Sequence, residues 1–167
     1  MEIEWFHIAL LCVASFLAGF VDAVVGGGGL IQTPFALVLL PAHPVATVIG
    51  SLKIPSFSGT FFAALQYMRK VKMVWWLLAV ACTLAFFAAY AGSLLLTQVS
   101  NSFMKPVLLV VLTLVAIYTY TKKSFGQHSV KDHSPRQQLG YVAAISIIIG
   151  FYDGFIGPGA GSFLILA

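Results

Sequence analysis

Gly19-Phe20-Val21-Asp22-Ala23-Val24-Val25-Gly26-Gly27-Gly28 returns 131 residues later as Gly150-Phe151-Tyr152-Asp153-Gly154-Phe155-Ile156-Gly157-Pro158-Gly159. The two stretches share the pattern GFxDxxxGxG, and a one-residue slip then sets Gly29 against Gly161. Each glycine run interrupts an apolar segment. A glycine inside a helix costs about 1 kcal/mol relative to alanine, so Gly26, Gly27, Gly28 and Gly29 together predict a break in the chain. Backbone freed in this way is tolerated at membrane depth only where it is buried in protein or lines a wet cavity. The break therefore points to a site. A repeated aspartate strengthens the reading, because an ionised carboxylate in a membrane segment is expensive and has to face protein or water.

The apolar runs around these stretches are long. A helix needs about 20 apolar residues to cross a hydrocarbon core of about 30 Å. Residues 6–25, 45–67, 74–96 and 106–120 with its flanks satisfy this, and residues 139–156 form a fifth run. Residues 30–40 would rise only about 16 Å as a helix and cannot cross alone. They are read as the return arm of a broken or re-entrant helix that ends at Pro41-Ala42-His43-Pro44.

Of the 167 residues, 60% are apolar and 8% charged, against about 25% charged in a soluble domain. A soluble globular domain is excluded. The formal charge of +4 comes from basic residues between the apolar runs, Arg69-Lys70-Val71-Lys72 and Lys122 to Arg136. This distribution fits cytoplasmic loops beside anionic lipid rather than nucleic-acid binding. With those loops inside, the runs at 74–96 and 106–120 form a hairpin, and the two glycine-broken elements enter the membrane from opposite sides. Met1-Glu2-Ile3-Glu4 is acidic where a signal peptide is basic, so the first run stays in the membrane. Cys12 and Cys82 lie in separate runs with no CxxC or histidine cluster, and the pattern calls for no metal and no cofactor.

The expected fold is all-α, a polytopic transmembrane helical bundle with inverted repeats and glycine-broken, re-entrant helices. Residues 1–121 form the first repeat, 122–138 a cytoplasmic loop and 139–167 the start of a second repeat. Two copies of a 131-residue unit need about 262 residues, so about 95 residues of the second copy are expected to lie outside this sequence. Inverted repeats with paired interrupted helices are an architecture of secondary transporters, whose site lies between the two breaks.

On these residues the chain resembles the sulfite exporter TauE/SafE family of membrane permeases. The resemblance rests on the run from Ala18 to Gly29 before Leu30-Ile31-Gln32-Thr33-Pro34, and on the run from Gly150 to Phe163. Gly50-Ser51-Leu52-Lys53 adds to it, with Leu52 standing where the family pattern has a polar Asn. The resemblance covers residues 6–167. It implies movement of a small sulfur-containing anion, such as sulfite, a sulfonate or thiosulfate, across a prokaryotic inner membrane.

The candidate substrate-binding residues are Gly26, Gly27, Gly28, Gly29, Lys53, Gly157, Gly159 and Gly161. A helix starting after a break offers unpaired N–H groups to an anion, and glycines allow close approach to the backbone. Close helix packing is the alternative role for such small residues. Asp22 and Asp153 either bind protons during transport or cap the broken helices. Lys53, the one cation inside these runs, either meets the substrate or pairs with Asp22. The two aspartates superficially fit an intramembrane aspartyl protease, but no GxGD motif accompanies them, and Ser56 fits an intramembrane serine protease nucleophile, but no later run supplies a histidine base. No enzymatic activity is expected. The expected partners are the lipid bilayer and a small anionic substrate, with a homo-oligomer or a chain carrying the rest of the second repeat as further associations. An incomplete scaffold or assembly subunit is the alternative function.

Overall fold

The computed structural model describes residues 5–25, 28–71, 73–121 and 134–166. Gly26, Gly27, Lys72 and residues 122–133 of the 122–138 loop lie outside this range, whereas residues 134–138 lie within it. Seven helices follow one another: α1 (Trp5–Val25), α2 (Gly28–Leu39), α3 (Val45–Lys70), α4 (Trp75–Gln98), α5 (Asn101–Thr121), α6 (Pro135–Phe155) and α7 (Ala160–Leu166). Among the described residues there is no strand, and four stretches are long and apolar enough to cross a membrane: Val45–Lys70, Trp75–Gln98, Asn101–Tyr118 and Gln137–Phe155. The chain is a multi-pass helical membrane protein. The first run contributes a shorter described apolar stretch, Ile8–Ala23, and α2 spans 12 residues, so these two helices form the arms of a broken element.

Local sequence explains where the helices start. Pro135 stands in the first turn of α6, where its missing N–H costs nothing, and the Ser134 N–H donates to Gln137 Oε1 at 3.3 Å in a capping-box arrangement. The first turn of α3 is satisfied from another helix, as the Val45 N–H donates to Asn101 Oδ1 at 2.9 Å. That bond ties the 41–44 turn to the start of α5. Beneath it, Val45, Ile49, Leu96, Met104, Leu108, Leu112 and Ile156 form the buried apolar core.

The short link at residues 99–100 does not make α5 the main partner of α4. Instead α4 lies along α6, and small residues explain why. A Cβ on Gly154 would strike the Ala89 carbonyl oxygen, and one on Gly150 would come within 2.9 Å of Ala85 Cα. From the other side, a Cβ on Gly92 would meet the Phe151 carbonyl oxygen. Gly150 and Gly154 thus let two backbones touch. Gly19, which matches Gly150 in the sequence repeat, has nothing within 4 Å.

The basic segments predict an orientation that labelling can check. In a cysteine-free background, Ser100→Cys should react with an impermeant maleimide added outside intact cells, and Ser134→Cys should react only after lysis. Reversed labelling would overturn the assignment of the Lys122 to Arg136 segment to the cytoplasm.

Candidate functional site

Gly26 and Gly27 lie outside the described residues, and Gly28 and Gly29 belong to the first described turn of α2. Gly28 is buried against α1, where an added Cβ would strike the Ala18 carbonyl oxygen. Its N–H donates to Asp22 Oδ1 at 2.9 Å. A carboxylate thus occupies the positive end of α2, satisfying one of the donors left open at a helix start.

The second break lies between Phe155 and Ala160 and turns through left-handed backbone at Gly157 (φ +87°) and Gly159 (φ +84°), where side chains are disfavoured. The two glycines have different surroundings. Gly159 is buried, and a Cβ there would come within 2.6 Å of Val115 Cγ1 and 3.4 Å of Leu30 Cδ2. At Gly157 an added Cβ would sit 2.8 Å from Lys53 Nζ, so the missing side chain makes room for an ammonium. Gly161 lies in α7. The start of α2 meets the second break, since a Cβ on Gly29 would lie 3.1 Å from Pro158 Cα.

Lys53 reaches this junction from α3. Its ammonium donates to Asp153 Oδ1 at 2.7 Å and to the Asp153 carbonyl oxygen at 2.8 Å. The pairing of Lys53 with Asp22 expected as one alternative from sequence is therefore corrected: the partner is Asp153. The physical reason is placement, since the end of α6 lies beside the part of α3 that carries Lys53, while Asp22 is turned to the N-terminus of α2. Although Asp22 and Asp153 are equivalent in the repeat, they do different work.

A cavity of about 390 Å³ opens at the junction. Its lining includes Asp22, Thr33, Lys53, Thr60, Asp153 and Gly157. Several nearby hydroxyls are already committed: Ser56 Oγ donates to the Leu52 carbonyl at 3.0 Å, and Thr60 Oγ1 to the Ser56 carbonyl at 2.9 Å. Lys53 is the one cation among the described lining residues, and the carboxylates of Asp22 and Asp153 line the same cavity.

Two participants escaped the sequence reading. The Tyr152 hydroxyl donates to the Pro158 carbonyl oxygen at 2.7 Å and braces the second break. Its repeat equivalent is Val21, so the repeat itself gave no signal for it. Thr33 is a buried polar residue at the cavity wall, and a threonine beside Pro34 in an apolar helix was the available hint.

The family model described as "Sulfite exporter TauE/SafE" matches residues 11–167. The chain belongs to this family. Its curated relatives include a "probable membrane transporter protein" of Haemophilus influenzae, 31% identical over all of this chain and 64% of its own length. The "probable membrane transporter protein ORF9" of a Sinorhizobium species is 34% identical over 96% of this chain and 60% of its own. The "probable membrane transporter protein YfcA" of Escherichia coli K12 is 30% identical, over 96% of this chain and 58% of its own. The TauE/SafE chain described here thus spans about three fifths of the length of the curated relatives it matches. No solved structure gives a significant match.

Proposed function

We propose that this TauE/SafE chain works in a secondary permease that moves a small sulfur-containing anion, such as sulfite, a sulfonate or thiosulfate, across a prokaryotic inner membrane. The observation that carries the reading is the Lys53 ammonium standing in the cavity where the two broken elements meet. Membership in a family described as sulfite exporters supports the substrate class. The site acts by binding and release and carries out no covalent chemistry. Alternating access then consists of rocking the α1–α2 and α6–α7 elements about the shared cavity.

Electrostatics restricts how the site can work. Lys53 and Asp153 neutralise each other, and the Asp22 carboxylate lines the same cavity, so an incoming anion meets no net attraction. At about 4 Å from the carboxylate it would be repelled by about 4 kcal/mol at an effective dielectric constant of 20. Lys53 therefore becomes an anion receptor only when Asp153 loses its charge or moves away.

The 54–68 part of α3 is exposed, including Phe57, Phe61 and Phe62. In the complete permease this face meets lipid or the second-repeat half, which a longer chain, a separate chain or a second copy would supply. The test is sulfur-35 sulfite binding and movement in proteoliposomes. Saturable movement competed by thiosulfate or methanesulfonate but not by chloride is expected. Absence of any sulfite binding would reject the permease reading, and binding without movement would favour a scaffold subunit.

A further inference from the structure

We propose that Asp153 is the proton-binding site of this permease, and that one proton on its carboxyl accompanies each anion bound at Lys53. The inference rests on the anion-permease reading and adds the coupling ion and the residue that binds it.

The two bonds that hold Lys53 differ in kind. One goes to the Asp153 carboxylate and the other to the same residue's backbone carbonyl oxygen. Protonation removes the charge of the first acceptor and leaves the second unchanged. The ammonium thus stays anchored over Gly157, and one of its three donors is released to the cavity. In balanced form, the Lys53 ammonium–Asp153 carboxylate pair, an anion and a proton become a Lys53 ammonium–anion pair and a neutral Asp153 carboxylic acid. No covalent bond other than the new O–H forms, and the charge of the site is the same before and after. The site can therefore load without carrying extra charge into the membrane, where an unpaired charge is costly.

The neighbouring groups single out Asp153. On α1, Asp22 is the other carboxylate at the cavity, and its Oδ1 accepts the Gly28 N–H. From α3 comes Lys53. The α2 and α7 lining residues, among them Gln32, Thr33 and Gly161, carry no charge. On α6 itself, the Tyr152 hydroxyl donates to the Pro158 carbonyl. With side-chain exposures of 38% for Lys53 and 44% for Asp153, the pair is open to protons and to a small anion from the cavity.

Methanesulfonate is the probe, because it stays a monoanion from about pH 5 to about pH 8, whereas sulfite titrates within that range. Since binding takes up a proton, affinity should rise as pH falls, approaching tenfold per pH unit on the alkaline side of the profile. In weak buffer, adding methanesulfonate should raise the pH by up to one proton per site. Asp153→Asn keeps a carbonyl oxygen for Lys53 and should bind with the same affinity at every pH. Asp153→Glu should restore the dependence, and Asp22→Asn should retain it. A flat profile in the unaltered protein, a surviving slope in Asp153→Asn, or a requirement for sodium at constant pH would overturn proton coupling while leaving the anion site standing. No binding of methanesulfonate or sulfite at any pH would overturn the anion reading as well.

Discussion

Gly154→Leu should separate α4 from α6 and destabilise the protein by more than about 3 kcal/mol, the upper end of what overpacking usually costs. Overpacking is normally relieved by neighbouring side chains that change rotamer. Here even a Cβ strikes the Ala89 carbonyl oxygen, so a main chain has to move. Ala85 faces Gly150 one turn away, leaving α4 no room to slide. In lipid the loss is not recovered by hydrophobic burial elsewhere, because helices there associate through close packing. The control is Gly140→Leu on the same helix, where nothing lies within 4 Å. Thermal unfolding in detergent should show a large loss for Gly154→Leu and almost none for Gly140→Leu. Equal unfolding temperatures would mean that α4 and α6 are not in backbone contact.

The helical architecture was legible because a membrane leaves few options. Apolar runs of about 20 residues must be helices, and glycine runs within them must be breaks. The repeat also suggested that the two glycine runs lie near each other, and of the described residues Gly29 stands beside Pro158. Pairing was not legible. Periodicity along α4 gives no information on whether its neighbour is α5 or α6, and only the coincidence of Ala85, Ala89 and Gly92 with Gly150 and Gly154 decides it. The repeat also suggested equal roles for Asp22 and Asp153. What separates them is three-dimensional: the N-terminus of α2 is beside one and Lys53 beside the other. Glycine in the motif likewise carries several jobs under one letter. Gly28 and Gly159 accommodate neighbouring helices, while Gly157 accommodates an ammonium.

Lys53→Met should weaken anion binding by about tenfold to over a hundredfold. A hydrogen bond to a charged group contributes about 1.5–3 kcal/mol, and each 1.4 kcal/mol is a factor of ten. The same substitution leaves Asp153 without its cation, so stability should fall too. The double variant Lys53→Met with Asp153→Asn removes that unpaired charge and separates the two effects. Its unfolding temperature should recover while its binding stays weak. Recovery of binding together with stability would show that Lys53 serves the fold and does not touch the anion.

The central claim is that the anion is held at Lys53, between the two breaks, and solid-state NMR can test it in lipid. With nitrogen-15 at the lysine side chains and carbon-13 in methanesulfonate, recoupling should show one lysine Nζ within about 5 Å of the ligand carbon, the separation left by a direct ammonium–sulfonate hydrogen bond. That signal should be strongest at low pH and absent from Lys53→Arg. A ligand that binds without reaching any lysine Nζ, or a contact that survives Lys53→Arg, would contradict the account.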